Sequence, residues 1–172
     1  MEKQIEEGSK KKVMVIIDES EHSYHSFMWV LDNLKEFITD SPLVILAAQP
    51  APNCKFFHGA QVLGTASFCS PATTTIDLIC SIQEKNKMIL SGILEKAVNI
   101  CANRGVKTET VLEAGEPYEL ICNAVQKNNI DVLVIGNTSI NGALKRDFLG
   151  RLSKYCLNNA RCHVLVVKNQ DE

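Results

Sequence analysis

The sequence predicts an α/β domain on a five-stranded, mostly parallel sheet, doubly wound in a Rossmann-like manner, with strand order 3-2-1-4-5 and helices on both faces. Three observations carry that prediction. Short unbroken runs of mostly β-branched apolar residues recur along the chain, as in strands buried on both faces. The segments between most of them repeat their apolar residues at helical spacing. The resulting order, β-α-β-α-β-α-β-α-β, implies parallel strands joined by right-handed crossovers.

Taken in order, Met1 to Lys11 is rich in Glu and Lys and reads as a disordered tail (1–11), ahead of a domain over 12–168 and a short tail at 169–172. Val13 to Ile17 is the first buried strand, ending at Asp18. Ser20 is placed to cap a helix whose apolar positions are Phe27, Val30, Leu31, Leu34 and Ile38. Leu43 to Ala48 is the second strand. The stretch 49–75 holds Pro50, Pro52, Gly59, Gly64 and Pro71 with no sustained period, which marks a long loop. A helix is expected from about Ile76 to Ala102, with Ile82, Ile89, Ile93, Ala97 and Ile100 on one face and Gly105 as its C-terminal cap. Val106 to Leu112 alternates polar and apolar, as a half-exposed edge strand does. Glu116-Pro117 opens a helix with Leu120, Ile121, Ala124 and Val125 inward. Val132 to Ile135 is a buried strand ending at Gly136, and 137–149 a polar loop. A short helix from about Gly150 to Asn159 leads to the last strand, Val164 to Val167.

Size and charge bound the function. With 172 residues, 45% hydrophobic and 22% charged, the chain suits one soluble domain that buries roughly 70% of its unfolded surface without staples. Eighteen basic against twenty acidic residues leave a formal charge of −2, which argues against nucleic-acid binding. No run of 18 apolar residues is present, so no membrane span is expected. The seven cysteines are odd in number and lack C-x-x-C spacing, which points to free thiols in a reducing, cytoplasmic compartment. Cys54, Cys69 and Cys80 lie in or beside the long loop, where a redox-responsive lid competes with inert thiols; inert thiols are the favoured reading. P-loop, nucleophile-elbow and H-E-x-x-H motifs are absent. His22, near Asp18, is read as a solvent-facing first-turn histidine.

In open α/β sheets ligands bind beyond the carboxyl ends of the strands, at the switch point between oppositely directed crossovers. The strand order puts Asp18 and the loop after Gly136 on one crevice. Asp18 has a plain alternative role, accepting local amides at a helix start. The small residues from Gly136 to Gly142, and the helix beginning near Gly150-Arg151, are able to present backbone amides to an anion.

Those residues carry a resemblance. Val15-Ile16-Ile17-Asp18-Glu19-Ser20-Glu21-His22-Ser23, an apolar strand followed by D-x-S-x-x-S, resembles the start of universal stress proteins. Gly115-Glu116-Pro117, Val134-Ile135-Gly136, Phe148-Leu149-Gly150, Ser153, Cys156 and Val164 to Val167 resemble the later parts of that family, plant-type single-domain members above all. The resemblance implies that Ile16, Asp18 and Ala48 contact adenine and ribose. It implies that Ile135, Gly136, Thr138, Ser139, Gly150, Arg151, Leu152 and Ser153 surround phosphates. The family's nucleotide signature, G-x-x-G-x(9)-G-[ST], is degenerate in this chain. Ser139 stands for the second glycine, ten residues separate it from Gly150, and Arg151 replaces the small hydroxyl residue. Serine resists the close approach that glycine permits, and arginine either fills the phosphate position or binds it from a new direction.

The expected function is a non-enzymatic stress-response or signalling regulator with a degenerate crevice for ATP or AMP, magnesium accompanying ATP and no metal site otherwise. Two alternatives stay open. One is a dimeric protein-interaction module that has lost nucleotide, with an unidentified protein partner; the other is a slow ATP hydrolase. In either case the all-apolar last strand lies at an edge, and the resemblance implies a homodimer through Val164, Leu165, Val166 and Val167.

Overall fold

The computed structural model describes residues 10–51, 71–137 and 150–168. Among the described residues five strands and five helices follow in order: β1 (Val13–Ile16), α1 (Glu21–Asn33), α2 (Lys35–Asp40), β2 (Leu43–Pro50), α3 (Pro71–Asn103), β3 (Thr108–Gly115), α4 (Pro117–Lys127), β4 (Val132–Gly136), α5 (Arg151–Asn159) and β5 (His163–Val167). The sheet is parallel throughout, in the order β3-β2-β1-β4-β5, as the alternation predicts.

Strand alternation divides the core in two. Val13, Val15 and Ile17 of the first strand region, with Leu43, Ile45 and Ala47 of β2, pack beneath α1, α2 and α3 against Phe27, Leu31, Ile38, Leu94 and Cys101. Met14 and Ile16, with Val44 and Leu46, face the other way, toward Ile121 and Val125 of α4 and Cys156 of α5. Both faces are therefore covered, which is why these strands are apolar at successive positions rather than every second one.

The helix predicted through Ile38 is two helices. Leu34 leaves helical geometry at φ −109° and ψ 28°, while its N–H still bonds to the Val30 carbonyl. The Leu34 carbonyl then accepts from Phe37 and Ile38 and starts α2. The break keeps Leu31 and Ile38 in one core, so apolar spacing alone did not reveal it.

The expected loop over 49–75 also contracts. β2 runs to Pro50, paired in register with Gly115, and α3 begins at Pro71. Residues 52–70, including Cys54 and Cys69, lie outside the described residues. The buried stripe of α3 is Leu90, Leu94, Ala97 and Cys101, with Ile93 and Ile100 at its margin. Ile82 and Ile89, expected inside, are 49% and 39% exposed. At about 1.5 Å per residue a 33-residue helix outruns the sheet beneath it, so only its second half is buried.

The C-terminal cap at Gly105 forms as predicted. Its φ of +71° turns the chain out of α3, with Gly105 N–H bonding to Ala102 O and Val106 N–H to Cys101 O. The same two bonds end α4: Asn129 (φ 49°) bonds to Gln126 and Ile130 to Val125.

Candidate functional site

The first strand delivers Asp18 to the carboxyl edge of the sheet, where Ser20 caps α1 by accepting from Ser23 N–H at 3.2 Å. Asp18 Oδ1 accepts from the Ser20 N–H at 2.8 Å and from the Ser20 hydroxyl. The buried Ser23 hydroxyl closes the turn, accepting from Asp18 N–H and meeting the carbonyls of Asp18 and Ser20. D-x-S-x-x-S is thus first a helix-start motif: each of its three side chains satisfies local backbone.

Above this turn lies a cavity of about 500 Å3, lined by Ile16, Ile17, Asp18, Glu19, Ser20, Ala48, Pro50, Asn86, Leu90, Pro117, Ile121 and Leu152. That size is ordinary for a small-molecule site. Four of the residues singled out from the sequence, Ile16, Asp18, Ala48 and Leu152, meet there. Asn86 and Ile121 were missed as lining residues, because they come from helix faces and carry no motif, and Pro117 was read only as the opener of α4. Gln49 lies between Ala48 and Pro50 of the lining without lining the cavity itself. It is 6% exposed, and its amide donates to Gln83 O and Oε1 at 2.8 and 2.6 Å. That contact ties α3, whose Asn86 and Leu90 line the cavity, to the end of β2.

The other expected contacts are distributed differently. Ile135 is 2% exposed and packs in the core. Gly136 is buried against α1: a Cβ there would lie 2.5 Å from the His22 carbonyl oxygen and 3.1 Å from Ser23 N. The glycine is needed for this strand–helix approach. Gly150 is the N-cap of α5, and its N–H is held by Asn137 Oδ1 at 3.3 Å. Asn137 itself is fixed by its N–H to Val167 O at 2.8 Å. Arg151 is exposed and does not line the crevice, while Ser153 is fully buried. Among the described residues the Ser153 hydroxyl has no hydrogen-bond partner, and neither does His22 Nδ1. His22 is half-buried in the first turn of α1 rather than solvent-facing. Thr138 and Ser139 lie outside the described residues.

A larger cavity, about 640 Å3, lies between α1 and α3 and shares the Ile17–Ser20 turn. Its far side is helix surface, mainly Phe27, Ile93, Ala97 and Ile100. The smaller crevice is the better candidate, because β1, β2, α3, α4 and α5 all converge on it at the strand ends. Its charged lining is acidic, Asp18 and Glu19, and among the described residues no group of three or more metal-binding side chains occurs. Nor, among them, is any helix long and apolar enough to cross a membrane.

Cys80 is exposed, whereas Cys101, Cys122 and Cys156 are buried. Burial pushes the Cys101 thiol up to about 11 and that of Cys156 to about 12. Cys122 and Cys162 are raised for the same reason.

Comparison with known proteins agrees with this architecture. A family model described as the universal stress protein family matches residues 76–168. The chain belongs to that family. A universal stress protein A-like protein of Arabidopsis thaliana is 34% identical over 92 residues, covering 53% of this chain and 52% of that protein. The chain thus spans about half the length of the curated relatives it matches. Among solved structures, universal stress protein UspA from Lactobacillus plantarum superposes with a TM-score of 0.69 at 16% identity, over 92% of this chain and 97% of its own. An Arabidopsis thaliana universal stress family protein, described with AMP bound, has a TM-score of 0.63 at 22% identity, over 94% and 93%. At such identities the superpositions speak to the fold.

Proposed function

We propose that the protein is a cytoplasmic, non-enzymatic stress-response or signalling regulator that binds an adenine nucleotide in the crevice at the ends of β1 and β2. The observation that carries this reading is the convergence of Ile16, Asp18, Ala48 and Leu152 on one cavity of about 500 Å3. The Ile16, Ala48 and Leu152 side chains offer apolar contact to a base. Asp18 has its Oδ2 left for a ribose hydroxyl while Oδ1 holds the turn. Phosphates belong away from Asp18 and Glu19, at the start of α5. There the helix dipole favours an anion, and the buried Ser153 hydroxyl supplies an unmet polar group. The Arabidopsis neighbour described with AMP supports the ligand class. Magnesium would accompany ATP; AMP needs none.

Calorimetric titration of the purified chain with AMP and ATP tests the proposal. Saturable binding at or below millimolar ligand is expected, and Leu152→Trp, which fills the crevice, should abolish it while leaving the circular dichroism unchanged. Absence of saturable binding overturns the reading. Exposed apolar residues on α3, Leu78, Ile82 and Met88 at 60%, 49% and 75%, favour a second reading, a protein-interaction module. β5 supports self-association in either reading: it is an edge strand with Val164, Leu165 and Val166 only half-buried, ready to pair with a second copy.

A further inference from the structure

The buried stripe of α3 leaves a second row of apolar residues unused. Leu78, Ile82, Ile89, Ile93 and Ile100 follow at spacings of four and seven, and so share one helix face. Exposure along that row falls from 60% at Leu78 to 49% at Ile82 and 39% at Ile89. Ile93 and Ile100 are half-buried, and both line the cavity of about 640 Å3 between α1 and α3. The row therefore starts as an open helix face and runs into a groove, over a rise of about 33 Å. Contiguous exposed apolar surface of this kind marks an interaction site.

The charges beside the row define what fits it. Lys85 and Lys96 recur eleven residues apart, which is three helical turns to within about 20°. No acidic residue stands three or four positions from either lysine, and among the described residues neither forms an ion pair. Across the groove the start of α1 presents Glu19 and Glu21, which line the same cavity as Lys96. One wall is thus cationic and the other anionic. Two copies packed through this face would set lysines against lysines, which disfavours self-association there.

We propose that this face of α3, with the groove beside α1, docks an amphipathic helix of a partner protein whose apolar face is flanked by carboxylates on one side and basic groups on the other. The partner's apolar residues cover Leu78, Ile82 and Ile89 and reach Ile93 and Ile100 in the groove. Its carboxylates meet Lys85 and Lys96, and its basic flank meets Glu19 and Glu21. The site rests on the interaction reading and not on nucleotide, since Lys85, Lys96, Ile82 and Ile89 do not line the crevice.

The test is fluorescence anisotropy of three labelled helical peptides, each about 22 residues long to match the row, titrated with the full chain. All share one leucine face. The first has glutamate on one flank and lysine on the other, the second glutamate on both, the third lysine on both. The mixed peptide should bind saturably at micromolar protein, about tenfold more tightly than either of the others. Lys85→Glu with Lys96→Glu makes both walls acidic and should turn the preference to the lysine-flanked peptide. Ile82→Ser with Ile89→Ser should weaken the mixed peptide about tenfold or more, with the circular dichroism unchanged. The proposal is overturned if no peptide binds, as would follow were residues 52–70 of this chain the occupant, or if all three bind alike. It is overturned too if the serine variant binds as the parent does, or if that variant turns a dimer into a monomer, which would put a second copy on this face. The altered residues are all exposed, and the three-peptide comparison needs only the parent chain. Nucleotide is read separately by the AMP titration, so the two readings fail independently.

Discussion

Replacing Gly136 by alanine probes a place where the end of the sheet and the start of a helix meet through backbone alone. The new Cβ would sit 2.5 Å from His22 O, 2.7 Å from His22 C and 3.1 Å from Ser23 N. The first of these is about 0.9 Å inside ordinary van der Waals contact, which begins near 3.4 Å. No side chain can swing aside, because all three atoms are main chain. The first turn of α1 must retreat from β4, and the Asp18–Ser20–Ser23 bonds are strained with it. Overpacking of this kind costs about 2–3 kcal/mol, and the lower entropy of an unfolded alanine returns about 0.4–1. The net loss is about 1–2.6 kcal/mol, or a Tm lower by roughly 2–10 °C for a chain of this size. Urea unfolding followed by circular dichroism reads it directly. Gly92→Ala is the control: it lies exposed in α3 with nothing within 4 Å of its Cβ position, and should gain about 0.5–1 kcal/mol. If Gly136→Ala unfolds within about 0.5 kcal/mol of the parent, the close approach is not what demands the glycine, and the reasoning fails.

Ser20→Ala removes the acceptor for Ser23 N–H and should cost about 1 kcal/mol in the same assay. The thiols of Cys101 and Cys156, raised by burial from 9.0 to about 11 and 12, hold their protons more tightly folded than unfolded. Their stabilising effect is whole below pH 9 and is lost as pH rises above it, at up to about 1.4 kcal/mol per unit for each thiol. Denaturation midpoints from pH 8 to 11 should therefore fall, and fall less in Cys101→Ala; a flat profile in the parent contradicts the assignment. Light scattering after gel filtration should give twice the chain mass of 19.0 kDa, with Val166→Lys on the half-buried β5 edge shifting it to one chain. A parent that is monomeric at micromolar concentration refutes pairing through β5.

The sheet was legible because a parallel sheet covered on both faces writes itself as apolar runs such as Val13 to Ile17 and Val132 to Ile135. Caps were legible where one residue type has one job: Ser20 before α1, Pro117 in the first turn of α4, Gly105 after α3. The sequence was silent where two arrangements satisfy the same spacing. Phe27 to Ile38 keeps helical period across a break at Leu34, and α3 holds more isoleucines than its buried stripe requires. The crevice was half legible for a related reason. Ile16, Asp18 and Ala48 sit at strand ends, whose position the topology dictates. Asn86 and Ile121 enter through helix packing, which has no local signature, and Pro117 was legible as a helix start but not as a lining residue.

This distinction bears on how the glycine motif is weighed. Gly136 is required by the fold whether or not a nucleotide binds, since His22 and Ser23 occupy the space a side chain would need. Gly150 serves as the N-cap of α5 and is tied to Asn137, again without a ligand. Gly136 therefore retains glycine for a reason independent of phosphate, and its presence in the chain argues little for nucleotide. The arginine after Gly150 argues equally little against it. Arg151 is exposed on the first turn of α5 and leaves the crevice open. The discriminating group is Ser153: a hydroxyl buried at the start of a helix without a partner among the described residues costs about 1–3 kcal/mol. The anion proposed at the start of α5 would offset that cost, and alanine at the same position would not incur it. Ser153→Ala should accordingly hold or raise the stability of the free protein while weakening AMP. An unchanged affinity would remove Ser153, and the α5 N-terminus with it, from the site.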